Sequence, residues 1–268
     1  MVTPLVFRGA SAGQCNICGE FGKLTEDHTP PKGCYRPTAM EVQHLHQALS
    51  AEPLPRKYKT NNGVRFRSLC AHCNNALLGG LYDPALIKFS TQVARLAMFQ
   101  DSLPRNMAIP GQPQKIMRSI YGHLAAATVN GYGQWSGYEE LSHWFLSGKG
   151  QLPAGLKLYY WFYPYKPQII VRGFGFTPMI GSGSIFVGWV MKFFPLAFLF
   201  VNQEEGIALD LPEMSVYSDL PMDAEIDLHI PLRPTTHPRW PESYVGEHGL
   251  ILSGNHAMRT IERPRRFR

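Results

Sequence analysis

Apolar residues recur at helical spacing through the middle of the chain, which predicts three helices there. The first helix is predicted to begin at Asp83, a good N-cap, with Pro84 as its first helical residue, and to run to about Ser102. Its apolar positions are Leu86, Ile87, Val93, Leu96, Ala97 and Met98. A second helix is predicted through QKIMRSIYGHLAAATVNGY, ending near Asn130, and a third through YEELSHWFLSG, with Gly148 as its stop.

From about residue 155 the pattern changes to β-branched and aromatic runs separated by Gly and Pro, which predicts strands. The predicted strands are LKLYYWFYP, QIIVRGFGF, SIFVGWVMKFF, LAFLFVNQ and AEIDLHIPL. The apolar stretch 185–201 resembles a membrane span, but it is slightly short and carries Lys192 and Pro195 in its middle. We therefore interpret it as two buried strands joined by a turn near Lys192–Pro195.

The elements predict an α+β protein with two regions. Residues 1–83 are rich in Gly, Pro, Asn and Cys and form a small cysteine-rich module. Residues 84–268 form an α+β domain, with helices at about 84–148, strands at about 155–230 and a basic C-terminal tail. The composition, with 44% hydrophobic and 12% aromatic residues, is sufficient for a substantial core.

The net charge and the number of cysteines indicate the kind of partner and the cellular compartment to expect. The formal net charge of +6 favours a polyanionic partner without proving one. Five cysteines is an odd number, which does not suggest a secreted disulfide scaffold. The N-terminal residues MVTPLVFRGASAGQC lack the charged start and long apolar stretch of a signal peptide. We therefore expect a soluble, cytoplasmic protein with no membrane association.

The cysteines point to a metal site. Cys15 and Cys18 form one C-x-x-C pair, Cys70 and Cys73 form a second, and residues 19–69 lie between the pairs. Each pair can place two thiolates on one tetrahedral Zn²⁺, and four sulfur ligands leave no open position, so this zinc is expected to be structural. The alternative is two buried cysteine pairs without a metal. Cys34 stands outside the pattern.

A polar stretch between the cysteine pairs is the candidate for catalysis. In LTEDHTPPKGCY, the adjacent Asp27 and His28 are followed by Pro30 and Pro31, which exclude helix and impose an extended or turning backbone. The stretch is either a polar surface turn or the site of a catalytic pair whose side chains need a fixed orientation. After the last cysteine, Asn74 opens a helical or turning segment.

The order C-x-x-C, Asp-His-x-Pro, C-x-x-C-Asn over about residues 13–84 resembles the HNH nuclease family. The resemblance implies a ββα-metal (treble-clef) zinc core at the N-terminus. It implies that His28 deprotonates the attacking water, a task suited to a neutral imidazole, and that Asp27 binds a catalytic divalent ion. Asn74 occupies the position of the family's final histidine, and its oxygen suits Mg²⁺ or Mn²⁺. The family's middle asparagine is missing, because Asn61 and Asn62 lie somewhat early for it.

The resemblance implies a metal-dependent endonuclease that hydrolyses phosphodiester bonds of nucleic acid, with DNA expected, in a setting such as restriction or phage defence. Lys32 and the tail residues Arg263, Arg265 and Arg266 are expected to contact phosphates. The region after residue 83 would select the substrate, sense a signal or form a homodimer. The alternative is a non-catalytic zinc module that binds nucleic acid or protein and would have no need of Asp27 and His28.

Overall fold

The computed structural model describes residues 9–35, 39–44, 58–99, 104–134, 137–177, 186–202, 209–232, 240–241, 250–253 and 257–262. It confirms the α+β class. A π-helix, His72–Tyr82, continues directly into α1 (Asp83–Phe99), and α2 (Pro113–Ala126) and α3 (Tyr138–Ser147) follow. The strands are β1 (Ala12–Gln14), β2 (Phe21–His28), β3 (Met40–His44), β4 (Tyr58–Thr60), β5 (Arg65–Cys70), β6 (Asn106–Gly111), β7 (Leu156–Phe162), β8 (Gln168–Thr177), β9 (Phe186–Phe193), β10 (Leu196–Asn202), β11 (Ile226–Pro231), β12 (Leu250–Ser253) and β13 (Ala257–Glu262).

A small antiparallel sheet in the order β1-β2-β5 carries the sequence motifs. The turn containing Cys15 and Cys18 joins β1 to β2, and β5 ends at Cys70. Asp27 and His28 are the last two residues of β2, where His28 is in register with Arg65. The three-stranded sheet and the segments that adjoin it therefore carry both cysteine pairs and the Asp-His pair.

A larger antiparallel sheet has the order β4-β3-β13-β8-β9-β10-β7, with β12 also pairing with β8. The β9–β10 hairpin confirms the interpretation of residues 185–201 as two strands, since Phe193 pairs with Leu196 across a turn at Phe194–Pro195. These strands are buried on both faces, which explains their continuous apolar sequence. Met191 packs with the helices on one face, while Val190 belongs to a separate cluster on the other. Among the described helices, none combines the length and apolar character that a bilayer span requires.

Helix α2 packs against strands of both sheets. All of its residues except Lys115 are buried. It packs against β2, β5, the π-helix, α1 and β9. Gly122 permits this close packing, because a Cβ at that position would lie 2.4 Å from the Leu78 side chain of the π-helix.

The boundary predicted at residue 83 falls inside a continuous helical stretch. Leu24, Leu78, Ile120 and Phe200, from both sides of that boundary, belong to one apolar core. Strands β3 and β4, from the N-terminal region, join the large sheet. The two regions of the sequence therefore share one packed interior.

Most predicted helices and strands are present, and the differences concern where they end and how they pair. Helix α1 is described to Phe99, and its predicted end near Ser102 lies outside the described residues. Helix α2 ends at Ala126, earlier than Asn130, because the buried Asn16 side chain donates to the carbonyls of Ala125 and Thr128 and turns the chain. The strand AEIDLHIPL appears as β11 and pairs with β6, a strand that was not predicted from the sequence.

Candidate functional site

The four cysteines of the two C-x-x-C pairs come together in the structure. Their sulfur atoms all lie within 4.8 Å of one another, and the sulfurs of Cys18 and Cys70 are 3.8 Å apart. Tetrahedral ligands at about 2.3 Å from a zinc ion are separated by about 3.8 Å. The cluster could therefore hold a metal such as zinc. In the described segments it is the one such group of three or more His, Cys, Asp or Glu ligands.

The protonation of these thiols also suits a cation. A hydrogen bond from Cys73 lowers the pKa of Cys15 to about 5, whereas burial raises the pKa of Cys18 to about 12. The backbone N–H of Cys73 donates to the sulfur of Cys70 over 3.5 Å. The hydrogen bond with Cys15 and burial raise the pKa of Cys73, and a divalent ion would replace the protons that Cys18 and Cys73 hold in its absence. Cys34 is a free thiol outside the cluster, and burial raises its pKa well above the usual value.

His28 is half-buried at the end of β2. Its Nε2 is enclosed and has no hydrogen-bond partner within the described structure. Burial lowers the pKa of His28, and the charges of Arg65 and Lys32 lower it further, while the charge of Asp27 and the backbone of Asn62 act in the opposite direction. With its pKa lowered, the ring is uncharged at neutral pH, and one of its two nitrogens carries a lone pair.

Asp27 is buried, with 5% of its surface exposed, and is held by two donors. Its Oδ2 lies 2.8 Å from Nδ1 of His123 and 3.2 Å from the hydroxyl of Thr29. His123 is itself buried, and its Nε2 lies 2.9 Å from Oδ1 of Asp83. Ser119 donates a further hydrogen bond of 2.7 Å to the same oxygen of Asp83. These contacts form a continuous chain, Asp27–His123–Asp83, across the interior.

The two carboxylates determine the charge of the histidine between them. Burial alone would lower the pKa of His123, but Asp27 and Asp83 outweigh it and raise that pKa to about 10. Burial alone would raise the pKa of Asp83, yet the charge of His123 and the hydrogen bonds to its carboxylate lower it. His123 is therefore an imidazolium at neutral pH, and both of its ring nitrogens donate.

Asn74 lies in the first turn of the π-helix, beside the strand that ends in Asp27. Its amide nitrogen donates to the hydroxyl of Thr25 over 2.8 Å and to the carbonyl of Glu26 over 3.2 Å. Its amide oxygen accepts no hydrogen bond from the residues that the structure describes. The structure thus brings Asn74 to the strand of the Asp-His pair and leaves an oxygen ligand available.

Three positively charged side chains lie near the end of β2, and two of them pair with Glu26. Arg65 and Arg67 bind the two carboxylate oxygens of Glu26 at 2.7 and 3.1 Å. Lys32 is exposed on a short 3-10 helix that follows the proline turn, and its charge contributes to the lowered pKa of His28. The predicted contacts Arg263, Arg265 and Arg266 lie outside the described residues.

Sequence reasoning did not identify His123 or the second role of Asp83. Asp83 was interpreted as a helix cap, and His123 as one polar residue in a predicted helix. The available signal was the apolar surroundings of His123 in IYGHLAAA, which indicate burial and hence a need for partners. Comparison of the chain with protein-family models, with curated proteins and with solved structures gave no match.

Proposed function

We propose that the protein is a divalent-metal-dependent endonuclease of the HNH type. The observation that carries the proposal is His28, whose Nε2 has no hydrogen-bond partner in the described structure. A neutral histidine with an unpaired ring nitrogen has the form required of a general base. Its lowered pKa keeps the ring neutral at physiological pH.

In the family the middle asparagine orients the catalytic histidine. The backbone of Asn62 raises the pKa of His28 slightly, and we propose that it stands in for that missing residue. For His28 to accept the proton of the attacking water at Nε2, the groups that enclose this atom would have to move and admit that water, while the turn at Pro30 and Pro31 would keep the ring in place. Pro30 and Pro31 are both buried, which supports a fixed turn.

A catalytic divalent ion is proposed between Asp27 and Asn74. The donor set consists of a carboxylate and an amide oxygen, which suits Mg²⁺ or Mn²⁺ better than late transition metals. When bound, such an ion stabilises the developing charge on the phosphate and the leaving oxygen. Within the chain, His123 and Thr29 hold the Asp27 carboxylate, and Thr25 and Glu26 hold the Asn74 side chain.

The cysteine cluster is proposed to be a structural zinc site in a treble-clef core. The cysteine turn, the antiparallel pair of β2 and β5 and the π-helix that contains Cys73 support this proposal. A metal there would fix the turn that begins β2 to the start of the π-helix, which are the elements that carry His28 and Asn74.

Nucleic acid is the proposed substrate, with DNA as the first choice. Arg65 and Lys32 bring positive charge to His28, where a phosphate would have to bind, and the chain as a whole carries +6. No contact to a base is part of this proposal.

A non-catalytic zinc module is the second candidate, and one observation favours it. Asp27 already has partners in His123 and Thr29, so its carboxylate has a structural role with or without a divalent ion. Such a module would bind nucleic acid or protein without cutting it.

Incubation of the purified protein with plasmid, single-stranded DNA and RNA separates the two candidates. We expect cleavage with Mg²⁺ or Mn²⁺ and none when EDTA is present. Binding without cleavage of any substrate in either metal would support the non-catalytic module.

A further inference from the structure

The Asp27–His123–Asp83 chain joins the candidate site to a helix outside the motif region. Asp27 and His123 are 96 positions apart, and His123 lies on α2, which packs between the two sheets. The motifs that resemble the nuclease family end near residue 84, so nothing in that resemblance assigns a role to His123.

The bonds of this chain are directional and shielded from water. The side chain of His123 is 1% exposed and that of Asp27 is 6% exposed, so solvent does not compete for either group. On the far side, the His123 ring is held by Asp83, which is held in turn by Ser119. The ring therefore cannot rotate without breaking the bond on each side, and Asp27 is fixed in one orientation.

A purely structural role would not require this arrangement. Breaking any member would leave an unpaired buried polar group, whereas apolar residues would fill the same space without that risk. The chain ends at the carboxylate that immediately precedes His28. Groups that hydrogen-bond a metal-binding carboxylate orient it, and their loss typically weakens metal affinity or activity by about 10- to 100-fold.

We infer that His123 is a positioning residue, which holds the Asp27 carboxylate through Oδ2 so that its other oxygen faces the divalent ion. The inference rests on the proposed function for the identity of that ion. His123 does not touch the substrate or the ion, and it acts through Asp27 alone.

Two substitutions of His123 separate its two bonds. The amide nitrogen of asparagine is bonded to Cγ, as Nδ1 of histidine is, whereas that of glutamine lies one atom further along, as Nε2 does. H123N therefore keeps a donor for Asp27, and H123Q keeps a donor for Asp83. Ser119→Ala is the matched control, because it weakens the far end of the chain without touching Asp27.

The readouts are Mn²⁺ affinity by titration calorimetry and the Mn²⁺ concentration for half-maximal cleavage, with zinc content and circular dichroism as tests of folding. We expect H123Q to weaken both Mn²⁺ values by about 10-fold or more, and H123N and Ser119→Ala to stay within about 3-fold of the unchanged protein. Equal Mn²⁺ affinity in H123Q and H123N would overturn the inference.

Two further outcomes keep this inference distinct from the nuclease proposal. If Mn²⁺ binds and is weakened by H123Q, yet nothing is cut, positioning is supported and the nuclease proposal fails. If the unchanged protein binds no Mn²⁺, the inference fails. Should both His123 variants misfold, Thr29→Val removes the other donor to Asp27 and leaves the His123 bond. The inference expects Mn²⁺ affinity in that variant to stay within about 3-fold, and a loss of about 10-fold or more would overturn it, because Thr29 would then be the residue that holds the carboxylate.

Discussion

Nδ1 of His123 lies 2.8 Å from Oδ2 of Asp27, so the residue before the candidate base is bound to helix α2. The same imidazole binds Asp83 through its second nitrogen, and Asp83 is the first residue of α1. The candidate site is therefore built from the N-terminal motifs together with the helices that follow them. Truncation after residue 83 would remove the His123 side of this site and expose the shared core.

Zinc content should depend on the clustered cysteines and not on Cys34. We expect one zinc per chain in protein purified without chelator, and loss of that zinc in Cys73→Ser. Cys34→Ser is the matched control, because Cys34 is a free thiol outside the cluster. Elemental analysis that finds no zinc in the unchanged protein, or the same loss in Cys34→Ser, would contradict the assignment.

The stability that His123 contributes should depend on pH. The pKa of His123 is raised from 6.5 to about 10 in the folded chain, so the folded state binds this proton more tightly than the unfolded state. The contribution is fully present below pH 6.5 and is lost as the pH rises through about 10. Losing one partner of such a buried network costs about 3–5 kcal/mol.

Denaturant unfolding of the protein and of His123→Gln, without added Mg²⁺ or Mn²⁺, measures this contribution as a difference. That difference in the free energy of unfolding should be largest near pH 6 and should shrink toward pH 10. The contributions of titrating groups far from His123 cancel in the difference, because both proteins contain them. A difference that stays constant over this range would show that His123 is not charged in the folded state.

Helix and strand positions were predictable from the sequence where a local signal decides them. Gly148 ends α3 in the left-handed conformation, with φ 61°, and the turn at Pro195 separates two strands whose apolar runs are buried on both faces. The earlier end of α2 was not predictable, because Asn16, a residue distant in sequence, caps it.

The same limit applies to the candidate site. The cysteine spacing alone predicts a four-sulfur cluster, because ligand pairs have a recognisable local pattern. His123 has no such pattern, since its partners lie on β2 and on α1 and meet only after the helices pack. Sequence reasoning therefore identified Asp27 but not the residue that fixes its side chain.

Lys32 and the tail should affect nucleic-acid affinity through phosphate contacts. Each lost contact should flatten the log–log dependence of affinity on salt by about 0.9 for duplex DNA. Lys32→Ala and deletion of residues 263–268 are the tests, and Lys166→Ala, another exposed lysine, is the control. The deletion begins at residue 263 because Arg259 lies in β13, between β3 and β8. Unchanged slopes in both variants would show that these residues do not contact phosphates.

Asn74 should determine which metal supports activity. Its replacement by histidine introduces a nitrogen ligand, which favours late transition metals over Mg²⁺. We expect Asn74→His to gain cleavage with Ni²⁺ relative to Mg²⁺, whereas the same change at the exposed Asn75 should leave the ratio unchanged. Identical metal preferences in the protein and in Asn74→His would indicate that Asn74 only joins the helix to β2.

The single-turnover cleavage rate of His28→Ala tests the central claim most directly. It should be measured at saturating Mn²⁺ beside His143→Ala, which removes an exposed histidine of α3. Loss of a general base typically slows the chemical step by about 10²–10⁴-fold, so His28→Ala should slow by this factor with unchanged zinc content and nucleic-acid binding. His143→Ala should cut at the rate of the unchanged protein. If His28→Ala cuts at that rate as well, His28 is not the base and the proposed mechanism is wrong.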